Sequence, residues 1–345
     1  MHIQLPKYLD DFIFNKLDGK YLTQTNVDDN LNNDSHKNKI YIGTYLPRSF
    51  AESYNIFSDL FLNSKIKENF NQKNTINILD IGAGTGGNLL GLLTALRESF
   101  GTNKQLNVYT IEGNAEVIEY QKKFVDKFKS HNNYSGINLI NINRVFTNKN
   151  NFIEVIITTI NSLHIKFDII SSFKFFTEFY NRNNDDSFGL YYVYSYISSS
   201  WLTDDGLSVL LDVTTTDLRQ LRPFTPFIVS REIKAYLRNN NGLKIILPKP
   251  CALWHSDCQT EKCFQQRVFR VSHSRCMNDK SKVCFMVFAK PEFADNIICD
   301  FNGNICYTTS YKHYKNGGYA DEYCKKGERK KQKYVNFPCA FRLNG

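Results

Sequence analysis

Residues 76–100 read INILDIGAGTGGNLLGLLTALRESF: a short apolar run, a glycine-rich turn, then an apolar stripe at helical spacing. Ile76, Ile78, Leu79 and Ile81 predict a strand buried on both faces, as parallel sheets require. Gly82, Gly84 and Gly86 let the backbone turn tightly and bring a ligand against main-chain N–H groups, because glycine tolerates positive φ and carries no Cβ. Leu89, Leu90, Leu92, Leu93 and Leu96 recur at helical spacing, so a helix N-terminus faces whatever occupies the turn. A glycine turn alone is weak support for a ligand, since any strand-turn-helix corner can contain one. Asp80 stands just before these glycines, and the next strand, Leu106 to Ile111, ends in Glu112, where nucleotide folds place a ribose-binding carboxylate.

LDIGAGTG and IEGN resemble the first two motifs of class I S-adenosylmethionine (SAM) methyltransferases. The resemblance implies that Asp80 lies near the methionine ammonium. It also implies that Gly82, Ala83, Gly84 and Gly86 pass under the cofactor and that Glu112 accepts the ribose hydroxyls. Asn143, Ser172 and Phe173, at the ends of two later strands, complete the implied cofactor set. NAD is the competing nucleotide: its GxGxxG spacing is missed by one residue at Gly86, although Gly87 fills the later position.

Outward from this motif, strand and helix patterns alternate, the signature of a doubly wound α/β sheet. Helices are expected over Val117–Phe128, Phe152–Leu163, Tyr191–Trp201 and Phe227–Arg238. Strands are expected over Ile137–Ile142, Phe167–Ser172, Leu207–Val213 and Ile245–Leu247, with Asp204, Asp205 and Gly206 as a turn before the third of these. On the N-terminal side, NVDDNLNNDSHKNK reads as a polar loop. Phe50, Tyr54, Phe57, Leu60 and Phe61 form a helical face to pack beside the sheet, while Tyr45, Arg48 and Tyr54 are also within possible reach of cofactor or RNA. The segment SSFKFFTEF follows the fourth strand, where open α/β sheets bind ligands. It has no DPPY or NPPF for base amino groups and no cysteine nucleophile. Glu178 is a weak candidate for a general base, because a carboxylate in a helix's first turn also serves as a capping or surface charge.

Cys251, Cys258 and Cys263 lie along PKPCALWHSDCQTEKCFQQRVFR with six and four residues between them. Closely spaced thiols in a reducing compartment suggest zinc or an iron–sulfur cluster, since soft sulfur ligands suit both. The residues alone leave the fourth ligand open among His255, Cys276, Cys284, Cys299 and Cys306, with Cys284 in VCFMVFA reading as a buried thiol. From about Tyr45 to Gly303 the chain resembles the methyltransferase-like proteins of the ribosomal small subunit, mitochondrial assembly factors and their bacterial relatives. YLPRSFAESY, LDIGAGTGG, IEGN, FDIISSFKFFTEF, SREIKAYL, the cysteine block with CFQQRVFR, KVCFMVFAK and IICDFNGNI carry the resemblance. It implies a four-iron, four-sulfur cluster on Cys251, Cys258, Cys263 and Cys299, with Cys299 in a late strand. Thr214, Thr215 and Thr216 depart from the family's glycine-rich turn after the fifth strand, and the match is poor beyond Gly303.

The 345 residues suffice for one main α/β core with additions. The expected division is a helical and polar extension over 1–65, a SAM-binding domain over 66–247, a cysteine-rich segment completing the sheet over 248–305, and a basic tail over 306–345. A net charge of +9, from 43 Lys+Arg against 34 Asp+Glu, favours an anionic partner. Arg267, Arg270, Lys330 and Lys331 are the candidate contacts to small-subunit rRNA or a ribosomal particle. No apolar run is long enough for a membrane span, and the N-terminus lacks a secretory or mitochondrial pattern, so a cytoplasmic protein is expected. The expected function is SAM-dependent methyl transfer by direct in-line displacement, acting on or assembling with small-subunit rRNA. The alternatives are methylation of a small molecule or peptide, and a non-catalytic SAM-binding assembly factor.

Overall fold

The glycine turn emerges from a strand, Thr75–Ile81, whose last four residues are all buried, as its unbroken apolar run requires. The computed structural model describes residues 2–23, 33–182, 189–214, 225–254, 267–299, 321–325 and 328–332. In chain order the elements are β1 (His2–Gln4), α1 (Lys7–Asp11) with a π-helical continuation over Phe12–Lys16, α2 (Ser35–Leu62), α3 (Ser64–Gln72), β2 (Thr75–Ile81), α4 (Gly87–Phe100), β3 (Gln105–Glu112), α5 (Ala115–Asn132), β4 (Ile137–Asn143), α6 (Lys149–Leu163), β5 (Phe167–Phe173) and α7 (Phe176–Arg182). They continue with α8 (Leu190–Trp201), β6 (Leu202–Val213), α9 (Thr225–Asn239), β7 (Lys244–Leu247), α10 (Lys249–Trp254), β8 (Arg267–His273), β9 (Cys276–Ala289), α11 (Pro291–Ile298), β10 (Asp321–Lys325) and β11 (Glu328–Gln332). Backbone proximity divides the chain into two units, 1–186 with 268–281, and 187–267 with 282–345.

In the first unit β4, β3, β2 and β5 lie side by side and parallel. The chain runs from β2 outward through β3 to β4, then returns to place β5 on the other side of β2. The order therefore reverses between β2 and β5, and the carboxyl ends of these two strands flank a topological switch point, where open α/β sheets bind ligands. β5 is buried along its whole length, as the apolar run FDIISSF requires.

In the second unit the late residues of β9 run antiparallel to both β6 and β7. The described strands of this unit are thus antiparallel, whereas the parallel, helix-connected strands of the first unit form an α/β Rossmann-like fold. Cys284 is buried on β9, its thiol 3.6 Å from the Asp212 carbonyl, in keeping with an ordinary core cysteine.

Helix α2 supplies the apolar face expected of it: Phe50, Phe57, Leu60 and Phe61 are all buried. It meets α4 at close range because Gly87 and Gly91 carry no side chain. A Cβ on Gly91 would fall 2.5 Å from the Phe50 carbonyl oxygen, and one on Gly87 would fall 2.7 Å from that of Leu46. Asparagines that composition gave no role act as helix caps. The side-chain oxygens of Asn63, Asn114 and Asn148 each accept from N–H groups in the first turns of α3, α5 and α6.

Several expectations are corrected. Ser35 to Lys39 belong to α2 rather than to a polar loop, because the Asp34 carboxylate accepts from Lys37 N at 2.8 Å and caps the helix. Asp204, Asp205 and Gly206 lie within β6 rather than in a turn. Cys299 follows helix α11, not a strand: Pro291 pre-sets the first helical turn, and Phe293, Ala294 and Ile297 are buried along the helix. Residues 2–4 were not anticipated as a strand, yet β1 runs parallel to β8 with His2 opposite Arg270. Lys330 and Lys331 fall in β11, which pairs antiparallel with β10. Among the described residues no helix is long and apolar enough to cross a membrane.

Candidate functional site

Three glycines of the turn adopt left-handed backbone angles: Gly82 at φ 69°, Gly84 at 54° and Gly86 at 85°. This is the conformation that the sequence reading required of them. The turn is tied to the end of β3 by a carboxylate. Glu112 Oε2 accepts from Gly84 N at 2.9 Å, and Oε1 accepts from Gly113 N at 2.8 Å and Asn114 N at 2.9 Å. From below, Gln121 donates to the Gly84 carbonyl and accepts from Thr110 Oγ1 at 2.9 Å. The turn is thus fixed by groups from β3 and α5, and its shape does not depend on a ligand.

Asp80 is buried, and both its oxygens take hydrogen bonds from Asn88 Nδ2 at 2.8 Å, with Ser171 Oγ donating to Oδ1 at 3.0 Å. Burial pushes its carboxyl up to about 7, and the nearby Glu112 charge adds to the rise, against the opposing hydrogen bonds from Ser171 and Asn88. Near neutrality this carboxyl therefore exchanges between two protonation states, a condition that a neighbouring cation would shift.

A cleft of about 410 Å³, its open mouth included, lies over the switch point. Its lining includes Gly82, Glu112, Phe173 and Glu178 from the sequence-predicted set, together with Tyr41, Arg144, Phe146, Lys174, Phe175 and Phe179. Ala83 and Gly84 are buried in the turn beside it, and Ser172 is buried with its hydroxyl donating to the Ile81 carbonyl at 2.9 Å. Asn143 is exposed at the end of β4, and its neighbour Arg144 is the residue that lines the cleft. Sequence reasoning passed over Arg144 and Phe146. Their position just past the third parallel strand was the available signal, since ligands gather beyond strand C-termini.

The aromatic wall of the cleft is a connected cluster. Phe175 meets Phe146, Phe176 and Phe179 with ring centroids 5.9, 5.2 and 5.1 Å apart. Such edge-on contacts favour a defined ring arrangement. Lys174 precedes this wall with φ 60°, and its Nζ lies 2.6 Å from Glu52 Oε2 on α2 and 3.3 Å from Ser49 Oγ.

The donor and acceptor set fits a nucleoside cofactor: a rigid turn of left-handed glycines, an anchored carboxylate at the second strand, and an aromatic wall. One feature of the seat does not lie open. An ideal Cβ on Gly82 would fall 2.2 Å from Phe175 Cγ, so the phenyl ring covers the face of the turn that the missing side chain leaves free.

Two other residues proposed to reach a ligand are engaged elsewhere. Arg48 donates bidentately to Asp279 on β9, at 2.8 Å from both Nε and Nη2, and Tyr54 donates to Glu98 at 2.7 Å. Of the proposed cluster ligands, Cys251 is half-buried in α10 and Cys299 is exposed after α11, while Cys258 and Cys263 lie outside the described residues, as does His255. Among the described residues no group of three or more His, Cys, Asp or Glu is placed to hold a metal ion. Arg267 and Arg270 are half-buried at the start of β8, with Arg270 Nη1 donating to Asn278 at 3.4 Å.

No protein-family model and no curated protein matches the sequence. Solved structures similar to this chain include the plantazolicin methyltransferase BpumL in complex with SAH (14% identity, 69% of this chain and 77% of that one, TM-score 0.34). The spermidine synthase from Thermotoga maritima is similar at 14% identity over 70% of this chain and 60% of that one, with a TM-score of 0.33. A SAM-dependent methyltransferase from Agrobacterium tumefaciens is similar at 10% identity over 68% and 62%, with a TM-score of 0.36. With scores this low, the fold rests on the strand arrangement and not on these likenesses.

Proposed function

We propose that the protein binds SAM at the switch point and transfers its methyl group to an acceptor entering past the end of β5. The observation that carries this reading is the Glu112 carboxylate, held by three main-chain N–H groups at the end of β3 beside a turn of left-handed glycines. SAM supplies the methyl group on a sulfonium, a leaving group that needs little chemical help, so the protein's contribution is positioning. Glu112 would accept the ribose hydroxyls, and the turn's backbone would lie under the cofactor. Asp80, ionising near neutrality, would favour the methionine ammonium, and Phe146 and Phe173 would wall the cleft. Glu178, in the same cleft, would take a proton from an acceptor.

The finer part of the proposal is that the acceptor or partner is small-subunit rRNA or its particle, and that Cys251, Cys258, Cys263 and Cys299 hold a four-iron, four-sulfur cluster. What supports it is the sequence resemblance along YLPRSFAESY, the cysteine block and IICDFNGNI, together with the net charge of +9. The test is transfer of labelled methyl from SAM to small-subunit particles, with small amines, phenols and peptides as competing acceptors. Label in rRNA that disappears with Glu112→Ala supports methyl transfer to rRNA. Label only in a small acceptor leaves methyl transfer standing and removes rRNA. Salt-sensitive particle binding with no label on any acceptor leaves a SAM-binding assembly factor.

A further inference from the structure

We infer that Phe175 is a gate on the cofactor seat, held shut by the pairing of Lys174 with Glu52; the inference rests on the SAM reading of this cleft. The ring occupies the position where a ligand would have to approach Gly82, since Phe175 Cγ and Cδ2 would lie 2.2 and 2.3 Å from an ideal Cβ on that residue. A glycine at this corner therefore leaves room for one of two occupants, the aromatic ring or a ligand. Both cannot be there together.

What holds the ring in place is the corner before it. Lys174 has left-handed backbone angles at φ 60°, a conformation that a side chain with a Cβ disfavours and that persists only when its surroundings enforce it. The enforcement is visible: Lys174 Nζ reaches Glu52 Oε2 at 2.6 Å, with Glu52 fully buried on α2 and Ser49 Oγ at 3.3 Å. A buried carboxylate with a lysine at this distance resists separation, because either charge left alone would be poorly solvated. The lysine thus anchors the corner to α2, and the corner aims the next residue at the turn.

The open position is also prepared. Phe175 already touches Phe146, Phe152, Phe176 and Phe179, with centroids 5.1 to 5.9 Å apart. A rotation away from Gly82 keeps the ring among aromatic neighbours instead of exposing it to water, so the two positions differ modestly in apolar burial. A ligand then binds only the open fraction, and its apparent affinity is reduced by that fraction.

The experiment measures the affinity and association rate of S-adenosylhomocysteine for the wild-type protein, for Phe175→Ala and for Lys174→Ala. Lys174→Ala removes the ion pair while keeping the ring and the Cβ that disfavours the left-handed corner. A closed gate predicts about tenfold tighter binding and faster association for Phe175→Ala, with Lys174→Ala shifted the same way. Equal or weaker binding by Phe175→Ala overturns the gate and makes the ring a wall that the ligand needs. Absence of binding by all three proteins fails the SAM reading and the gate with it, whereas measurable binding by the wild type with no gain in either variant fails the gate alone. If Phe175→Ala does not fold, Phe175→Leu is read in its place, with a smaller gain expected in the same direction.

Discussion

Glu112 and Gly84, at the ends of neighbouring segments of the sheet, are joined by a 2.9 Å hydrogen bond from the glycine N–H to the carboxylate. One side chain therefore both shapes the glycine turn and faces the cleft. Glu112→Ala leaves three main-chain donors without their acceptor, a loss of about 1–3 kcal/mol for each buried one that finds no water. Chemical denaturation should show the destabilisation, and S-adenosylhomocysteine binding should fall below detection. Undiminished binding by Glu112→Ala would remove the carboxylate from the ribose contact.

Asp80 predicts a pH dependence of opposite sign to that of a paired surface carboxylate. Its folded value is raised to about 7 from an ordinary 3.8, so the folded protein holds a proton that the unfolded chain releases between these limits. Its stabilising contribution is fully present below the unfolded value and is lost as pH rises through about 7. Over that window it amounts to a few kcal/mol, at about 1.4 kcal/mol per pH unit. Asp80→Asn should flatten the stability profile between those pH values. In the wild type, binding a cationic ligand here should release a fraction of a proton below neutrality, measurable by calorimetry in buffers of different ionisation enthalpy.

Arg48 and Asp279 form a pair within the first unit, with Tyr21 Oη donating to Asp279 Oδ1 at 3.3 Å and His273 Nε2 at 3.7 Å from its other oxygen. Burial raises the Asp279 carboxyl, but the adjacent His273 and the hydrogen-bonded Arg48 guanidinium outweigh it and hold the group below its ordinary value. Its stabilisation is therefore present above the ordinary aspartate range and disappears as pH falls beneath it. Arg48→Ala should lower stability by about 3 kcal/mol, as expected when one partner of a buried pair is removed. S-adenosylhomocysteine affinity should stay within about twofold. A large loss of affinity with stability intact would return Arg48 to the ligand site.

Gly91→Ala should destabilise the protein by about 1–3 kcal/mol, because the new methyl meets the backbone of α2 and not a side chain that can move aside. Gly101→Ala is a useful contrast. Nothing lies within 4 Å of that position, and only its positive φ penalises the change. Thermal unfolding of the pair separates crowding from backbone strain.

Protein purified without oxygen should contain iron and acid-labile sulfide in equal amounts, and Cys258→Ser should remove both. Zinc without sulfide would make the cysteine segment a zinc site, and no metal would end the cluster proposal.

The sheet was legible because its signals are local. The apolar runs at Ile76–Ile81 and Phe167–Ser172, and the helical stripes between them, fix element type within a few residues. The cleft was legible only in part. Asp80, the glycines and Glu112 belong to short motifs, whereas Tyr41, Arg144, Phe146 and Phe175 share no motif and meet only because the strand order reverses at β2. Arg48 shows the converse, since its sequence context allowed a ligand contact and the paired β8–β9 segment supplied Asp279 instead.

The sequence by itself determined the strand, the left-handed turn and the carboxylate at the end of β3, because backbone conformation and apolar period are properties of adjacent residues. Only the tertiary structure decided what stands over the turn. The position of Phe175 against Gly82 follows from a corner in β5–α7 whose lysine is paired with a glutamate on α2. Contacts between residues so far apart along the chain depend on which strand lies beside which, and spacing within a motif does not encode that.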